Sequence, residues 1–171
     1  APADQPWAAS EVATDWEYLT SPGTKASAGR VMDEARGSVA FLEVQHFDAD
    51  RAEGGRYFAN LRLRQLPDDL GGYSSMRVWI RGAGLASSRI YIRKDKTHRW
   101  RSPGLPVTAE WIQHTIPLDD FDYQVGGKGQ WETTSGDNPR RVDRIQLKVG
   151  YFVNDPSLSG TVYFDDLEFL P

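Results

Sequence analysis

The feature that most constrains this chain is a strict two-residue alternation of apolar and polar side chains, repeated along its length. Met76, Val78 and Ile80 point one way, while Arg77, Trp79 and Arg81 point the other. Ile90 and Ile92 oppose Arg89, Tyr91 and Arg93 in the same manner, and Ile145, Leu147 and Val149 oppose Arg144, Gln146 and Lys148. Successive side chains leave a strand on opposite faces, so each run reads as a strand with one buried face. Further strands are predicted at 15–19, 39–47, 57–64, 111–118 and 161–169. Gly, Pro and Asp punctuate them at 21–24, 52–56 and 67–72, and no segment carries a credible helical period. The expected fold is all-β: an antiparallel two-sheet β-sandwich of jelly-roll type.

A length of 171 residues predicts a single domain spanning 1–171, with 1–14 as a linker or a mature N-terminal tail. The Ala1-Pro-Ala-Asp-Gln-Pro6 start reads as the end left by signal-peptide cleavage or as an interdomain linker, and it suggests a secreted, bacterial protein. The absence of cysteine excludes disulfides and thiolate metal sites. No apolar run approaches a membrane span. A net charge of −4 argues against general nucleic-acid binding. Aromatic residues make up 12% of the chain, with 6 Trp and 7 Tyr, which suits a β protein that presents flat rings to a ligand. Residues 122–141 read as one long Gly-rich loop.

Four segments carry a resemblance. They are Asp69-Leu-Gly-Gly-Tyr-Ser-Ser-Met-Arg-Val-Trp-Ile-Arg-Gly82, Arg89-Ile-Tyr-Ile-Arg-Lys-Asp95, Trp111-Ile-Gln-His-Thr-Ile-Pro-Leu118 followed by Phe121, and Ile145-Gln-Leu-Lys-Val-Gly-Tyr-Phe152. With the closing Thr-Val-Tyr-Phe-Asp-Asp-Leu-Glu-Phe169, their order resembles that of carbohydrate-binding modules of the β-jelly-roll, galactose-binding-domain-like class. The match covers about residues 57–170. The resemblance implies a non-catalytic, polysaccharide-binding module joined to a secreted carbohydrate-active enzyme, and its motifs name neither sugar nor linkage.

The outward strand residues supply the candidate site. Trp79, Tyr91 and Trp100 are assigned to stacking on sugar rings, and Arg77, Arg81, Arg93, Gln146 and Lys148 to polar or charged contacts. Guanidinium forks suit carboxylate or sulfate, so an anionic glycan, uronate-containing or sulfated, is expected. The plainer reading is a solvated exterior, with arginines keeping the sheets soluble and the strands divided between two faces. Trp100, placed on a loop at 96–104, reads as a binding platform or as a ring folded over the sandwich end, and Trp131 reads likewise. Trp7, Trp16 and Trp111 are assigned to packing.

Asp165 and Asp166 are the metal candidates, with Asp33, Glu34 and Glu43 available as partners. The resemblance implies a structural Ca²⁺ here; otherwise one carboxylate caps a loop. Adjacent strand residues face opposite ways, so one of the pair is expected to bind directly. Two other functions remain open. One is a jelly-roll polysaccharide lyase or hydrolase, since Gln45-His46 and Lys148-Val-Gly-Tyr151 resemble alginate-lyase motifs. The other is a structural or interaction domain of a larger enzyme. A monomer is expected.

Overall fold

A computed structural model describes residues 7–8, 16–63, 65–67, 69–125, 131–133, 142–151 and 155–171. Its strands, in chain order, are β1 (Trp7–Ala8), β2 (Trp16–Thr20), β3 (Lys25–Asp33), β4 (Gly37–His46), β5 (Phe58–Leu63), β6 (Ser75–Ala83) and β7 (Ser87–Asp95). They continue as β8 (His98–Arg101), β9 (Leu105–Pro106), β10 (Ile112–Pro117), β11 (Asp122–Val125), β12 (Glu132–Thr133), β13 (Arg144–Gly150) and β14 (Gly160–Leu170). All the pairings are antiparallel. They build two sheets, and the architecture is a jelly-roll β-sandwich.

The six-stranded sheet runs β10-β6-β14-β4-β3, with β1 against the end of β14. The eight-stranded sheet runs β12-β11-β8-β7-β13-β5-β2, with β9 beside β7. Alternation drives this assembly. In β6 the even-numbered Met76, Val78 and Ile80 are fully buried and the odd-numbered residues are not. Ile90 and Ile92 of β7 and Ile145, Leu147 and Val149 of β13 do the same for the other sheet. Leu42, Val44, Val162, Phe164 and Phe169 complete the layer between the sheets. Burying such side chains is the main favourable term in folding. Gly82 ends the buried row of β6 at a close approach to β14, where an added Cβ would collide with the Thr161 carbonyl.

Three expectations need correction. Residues 98–101 form strand β8 rather than a loop, and β11 occupies the start of the presumed loop at 122–141. Strand β3 was not foreseen. Its Lys-Ala-Ser-Ala-Gly sequence has little β-propensity, and it lies at a sheet edge, where alternation is weak. Trp111 is half-buried outside the sandwich core, packed on the outer face of the six-stranded sheet. The side chains of Trp7 and Trp16, the remainder of 1–14, and residues 126–130 and 134–141 lie outside the described residues.

Candidate functional site

The candidate residues fall on two opposite surfaces. Arg77, Trp79 and Arg81 belong to β6, so they stand on the outer face of the six-stranded sheet. Tyr91, Arg93, Gln146 and Lys148 belong to β7 and β13, on the outer face of the eight-stranded sheet. Trp100 is on neither. It pairs across strands with Ile92 and Tyr123, faces the sandwich interior, and is 6% exposed. The alternation His98-Arg-Trp-Arg101 aims both arginines outward and the indole inward, so Trp100 offers no open ring to a ligand.

On the six-stranded sheet, the cations are engaged by the protein itself. The Arg36 guanidinium lies 4.3 Å from the Trp79 ring centroid, and Arg81 lies 4.2 Å from that of Tyr163. Arg81 pairs with Asp33 at 2.9 Å, and Arg77 pairs with Glu168. With its amide turned to meet the donors around it, Gln113 accepts from Arg77 Nε at 3.1 Å and from Trp79 Nε1 at 3.3 Å. Asp33 also accepts from Trp111 Nε1 at 3.2 Å and from the amides of Ala35 and Arg36. Burial opposes its charge, but these donors prevail and hold Asp33 below the ordinary carboxylate range.

Asp165 and Asp166 belong to the same network. Arg36 Nε donates to Asp165 Oδ2 at 2.6 Å, and Arg36 Nη2 donates to Asp166 Oδ2 at 2.7 Å. Both carboxylates reach one guanidinium because the strand is irregular between Asp165 and Glu168, with Asp166 at φ 46°. This bulge defeats the expected up-and-down alternation. The residues do not fit a calcium ion: a cation already bridges the two acids, Asp33 is committed to Arg81 and Trp111, and no cluster of three or more metal-ligating side chains occurs among the described residues.

The eight-stranded sheet presents a different surface. Strand register sets its outward residues in three rows. The middle row reads Arg62, Gln146, Tyr91, Arg101, Asp122 across β5, β13, β7, β8 and β11. One flanking row holds Asn60, Lys148 and Arg89, and the other holds Arg144, Arg93, Arg99 and Gln124. Neighbouring strands lie about 4.8 Å apart and successive rows about 6.6 Å apart. Three of the cations have acidic partners: Arg93 with Asp143 at 2.9 Å, Arg101 with Asp122 at 3.5 Å, and Arg62 with Glu17 at 3.7 Å. Lys148 and Arg144 have no carboxylate within 4.0 Å among the described residues.

Aromatic rings complete this face. Trp131, half-buried, meets Tyr91 edge-on at 5.9 Å and lies over the guanidiniums of Arg101 at 4.4 Å and Arg99 at 5.3 Å. Tyr91 is 6% exposed and forms the floor, and the half-buried Trp131 is the more accessible ring of the pair. The register of β8 against β7, unseen in the sequence, brings Arg99 and Arg101 into the site. Burial pushes the Tyr91 phenol up and the Arg99 guanidinium down. Burial also lowers Arg144, helped by Arg93 and Arg62. The residues resembling lyase motifs do not converge, since Gln45 and His46 end β4 of the six-stranded sheet whereas Lys148 lies in the other.

No protein-family model matches the chain, and no curated protein matches it. Among solved structures it is similar to the Family 11 Carbohydrate-Binding Module of cellulosomal cellulase Lic26A-Cel5E of Clostridium thermocellum, with a TM-score of 0.70 and 16% identity over 99% of this chain and 95% of that one. A Family 11 module from Clostridium thermocellum in complex with a beta-1,3-1,4-mixed-linked tetrasaccharide gives a TM-score of 0.71 and 17% identity, covering 96% of this chain and 95% of that one. A Family 29 carbohydrate-binding module gives 0.52 and 10%, covering 96% and 91%. The chain thus has the β-jelly-roll fold of these carbohydrate-binding modules.

Proposed function

We propose that the outer face of the eight-stranded sheet binds a polysaccharide without catalysis, and that the glycan is anionic, a uronate-containing or sulfated polymer. On this reading the chain acts outside the cell as a monomer and holds a linked carbohydrate-active enzyme near its substrate. Tethering raises local concentration and leaves the chemical step unchanged. The shared fold supports the carbohydrate-binding part of this reading, together with the solved Family 11 module that carries a tetrasaccharide.

The observation that carries it is the contrast between the two outer surfaces. On the six-stranded sheet, Arg36, Arg77 and Arg81 are met by nearby carboxylates, and Arg36 and Arg81 also by aromatic rings. On the eight-stranded sheet, Lys148 and Arg144 have no carboxylate within 4.0 Å among the described residues, and Trp131 stands edge-on to Tyr91 over Arg99 and Arg101. A sugar ring stacks its C–H face on an indole, and its anionic substituents attract the cations on either side.

A glycan array with neutral, uronate and sulfated polymers tests the reading, repeated with Trp131→Ala and Trp79→Ala. Binding to anionic polymers that weakens several-fold in Trp131→Ala and persists in Trp79→Ala supports it. Absence of binding to every glycan, or binding that depends on Trp79 alone, overturns it. Release of reducing ends or of unsaturated uronates from a bound polymer overturns the non-catalytic part.

A further inference from the structure

Lys148 occupies the least compensated position on the proposed face. Its Nζ lies 4.5 Å from the Phe58 ring centroid and 4.8 Å from that of Tyr91, so two aromatic rings replace much of its water. Its cross-strand neighbours are Asn60 of β5 and Arg89 of β7. Arg99 of β8 and Arg56, which precedes β5, repel it as like charges. Gln146 precedes it on the same side of β13. Among the described residues no carboxylate approaches within 4.0 Å. An ammonium held against rings and among guanidiniums is missing its counter-charge.

Resting on the glycan-binding reading above, we propose that Lys148 is the charge-reading residue of this face: the carboxylate or sulfate of the ligand seats on its ammonium, and docking draws a proton from solvent onto the amine. Burial, with Arg99 and Arg56, already pushes the lysine down to about 8. An anion brought alongside supplies the missing charge and restores the hold on the proton. Near pH 8, docking then takes up on the order of half a proton per site. The surrounding groups do not titrate there. Guanidiniums remain protonated, and burial raises the Tyr91 phenol further from neutrality. Arginine at position 148 would carry the same charge without the proton linkage.

The test is titration calorimetry of the whole chain at pH 8, with dextran sulfate, polygalacturonate and neutral dextran, in two buffers of different ionisation enthalpy. The expected result is an anionic-polymer binding enthalpy that differs between buffers. Lys148→Arg binds with comparable affinity and loses the buffer dependence, and Lys148→Met loses about tenfold in affinity. Preference for only one of the two anionic polymers identifies the group that Lys148 reads. Equal enthalpies in both buffers with unaltered affinity in Lys148→Met overturn the role of Lys148 and leave the glycan reading intact. Binding of none of the three polymers in this assay, or binding of dextran as tightly as the anionic pair, overturns the role of Lys148; only failure across the full array removes the glycan reading as well.

Discussion

Arg36 and Asp165, 129 residues apart in the chain, are joined by a 2.6 Å hydrogen bond from guanidinium to carboxylate. The Asp165 side chain is only 5% exposed, so removing its partner strands a buried charge. Arg36→Ala is expected to cost about 3 kcal/mol by urea unfolding. Calcium or a chelator should leave the wild-type Tm unchanged, because the guanidinium already supplies the positive charge at these acids.

The pH response of that pair has a definite sign. Burial raises Asp165 above its ordinary value, with Arg36 opposing. A carboxyl raised by folding contributes most in acid, and its contribution is lost as pH rises from about 4 through the folded value. Arg36→Ala removes the positive charge that favours the ionised carboxylate. Its stability deficit, followed by melting curves, should widen between about pH 4 and pH 7.

Asp33 behaves in the opposite sense. Its hydrogen bonds with Ala35, Arg81, Trp111 and Arg36 outweigh burial and lower it. Its contribution is therefore present above the unfolded value near 4 and is lost as pH falls through the lower folded value. Asp33→Asn should cost about 2 kcal/mol at pH 7 and lose less stability than wild type on acidification below about pH 4.

The two tryptophans on either side of the eight-stranded sheet should separate stability from binding. Trp100→Ala empties a core site and is expected to cost about 3–5 kcal/mol in chemical denaturation. Trp131→Ala should reduce glycan affinity several-fold while shifting the Tm little, since its contacts are with Tyr91 and two surface arginines.

Affinity for an anionic polymer should fall about tenfold between 0.05 and 0.5 M salt, since screening shortens the reach of the cations on this face. Binding measured across that range checks it. The array's neutral glucans should show no comparable slope.

The interior strands are legible in the sequence because their alternation records burial directly: Met76, Val78 and Ile80 are all buried, as their spacing predicts. The division of the site is not legible. Whether β6 and β7 share a sheet depends on their long-range partners, β14 for one and β13 for the other, which are distant in sequence. Trp100 did leave a signal, since His98-Arg-Trp-Arg101 alternates, but four residues among polar neighbours read equally well as a loop. In the sequence the acids at 165 and 166 suggest a metal ion, and nothing local reveals that Arg36 pairs with both through a bulge.

If the proposed face binds glycan, the unequal satisfaction of the two broad surfaces would make the sandwich adhesive on one side. Laid on a charged fibre, every copy would settle in the same orientation and turn its self-neutralised back to the solution. A monomer of that kind would coat strands one by one and would not stitch them into a gel.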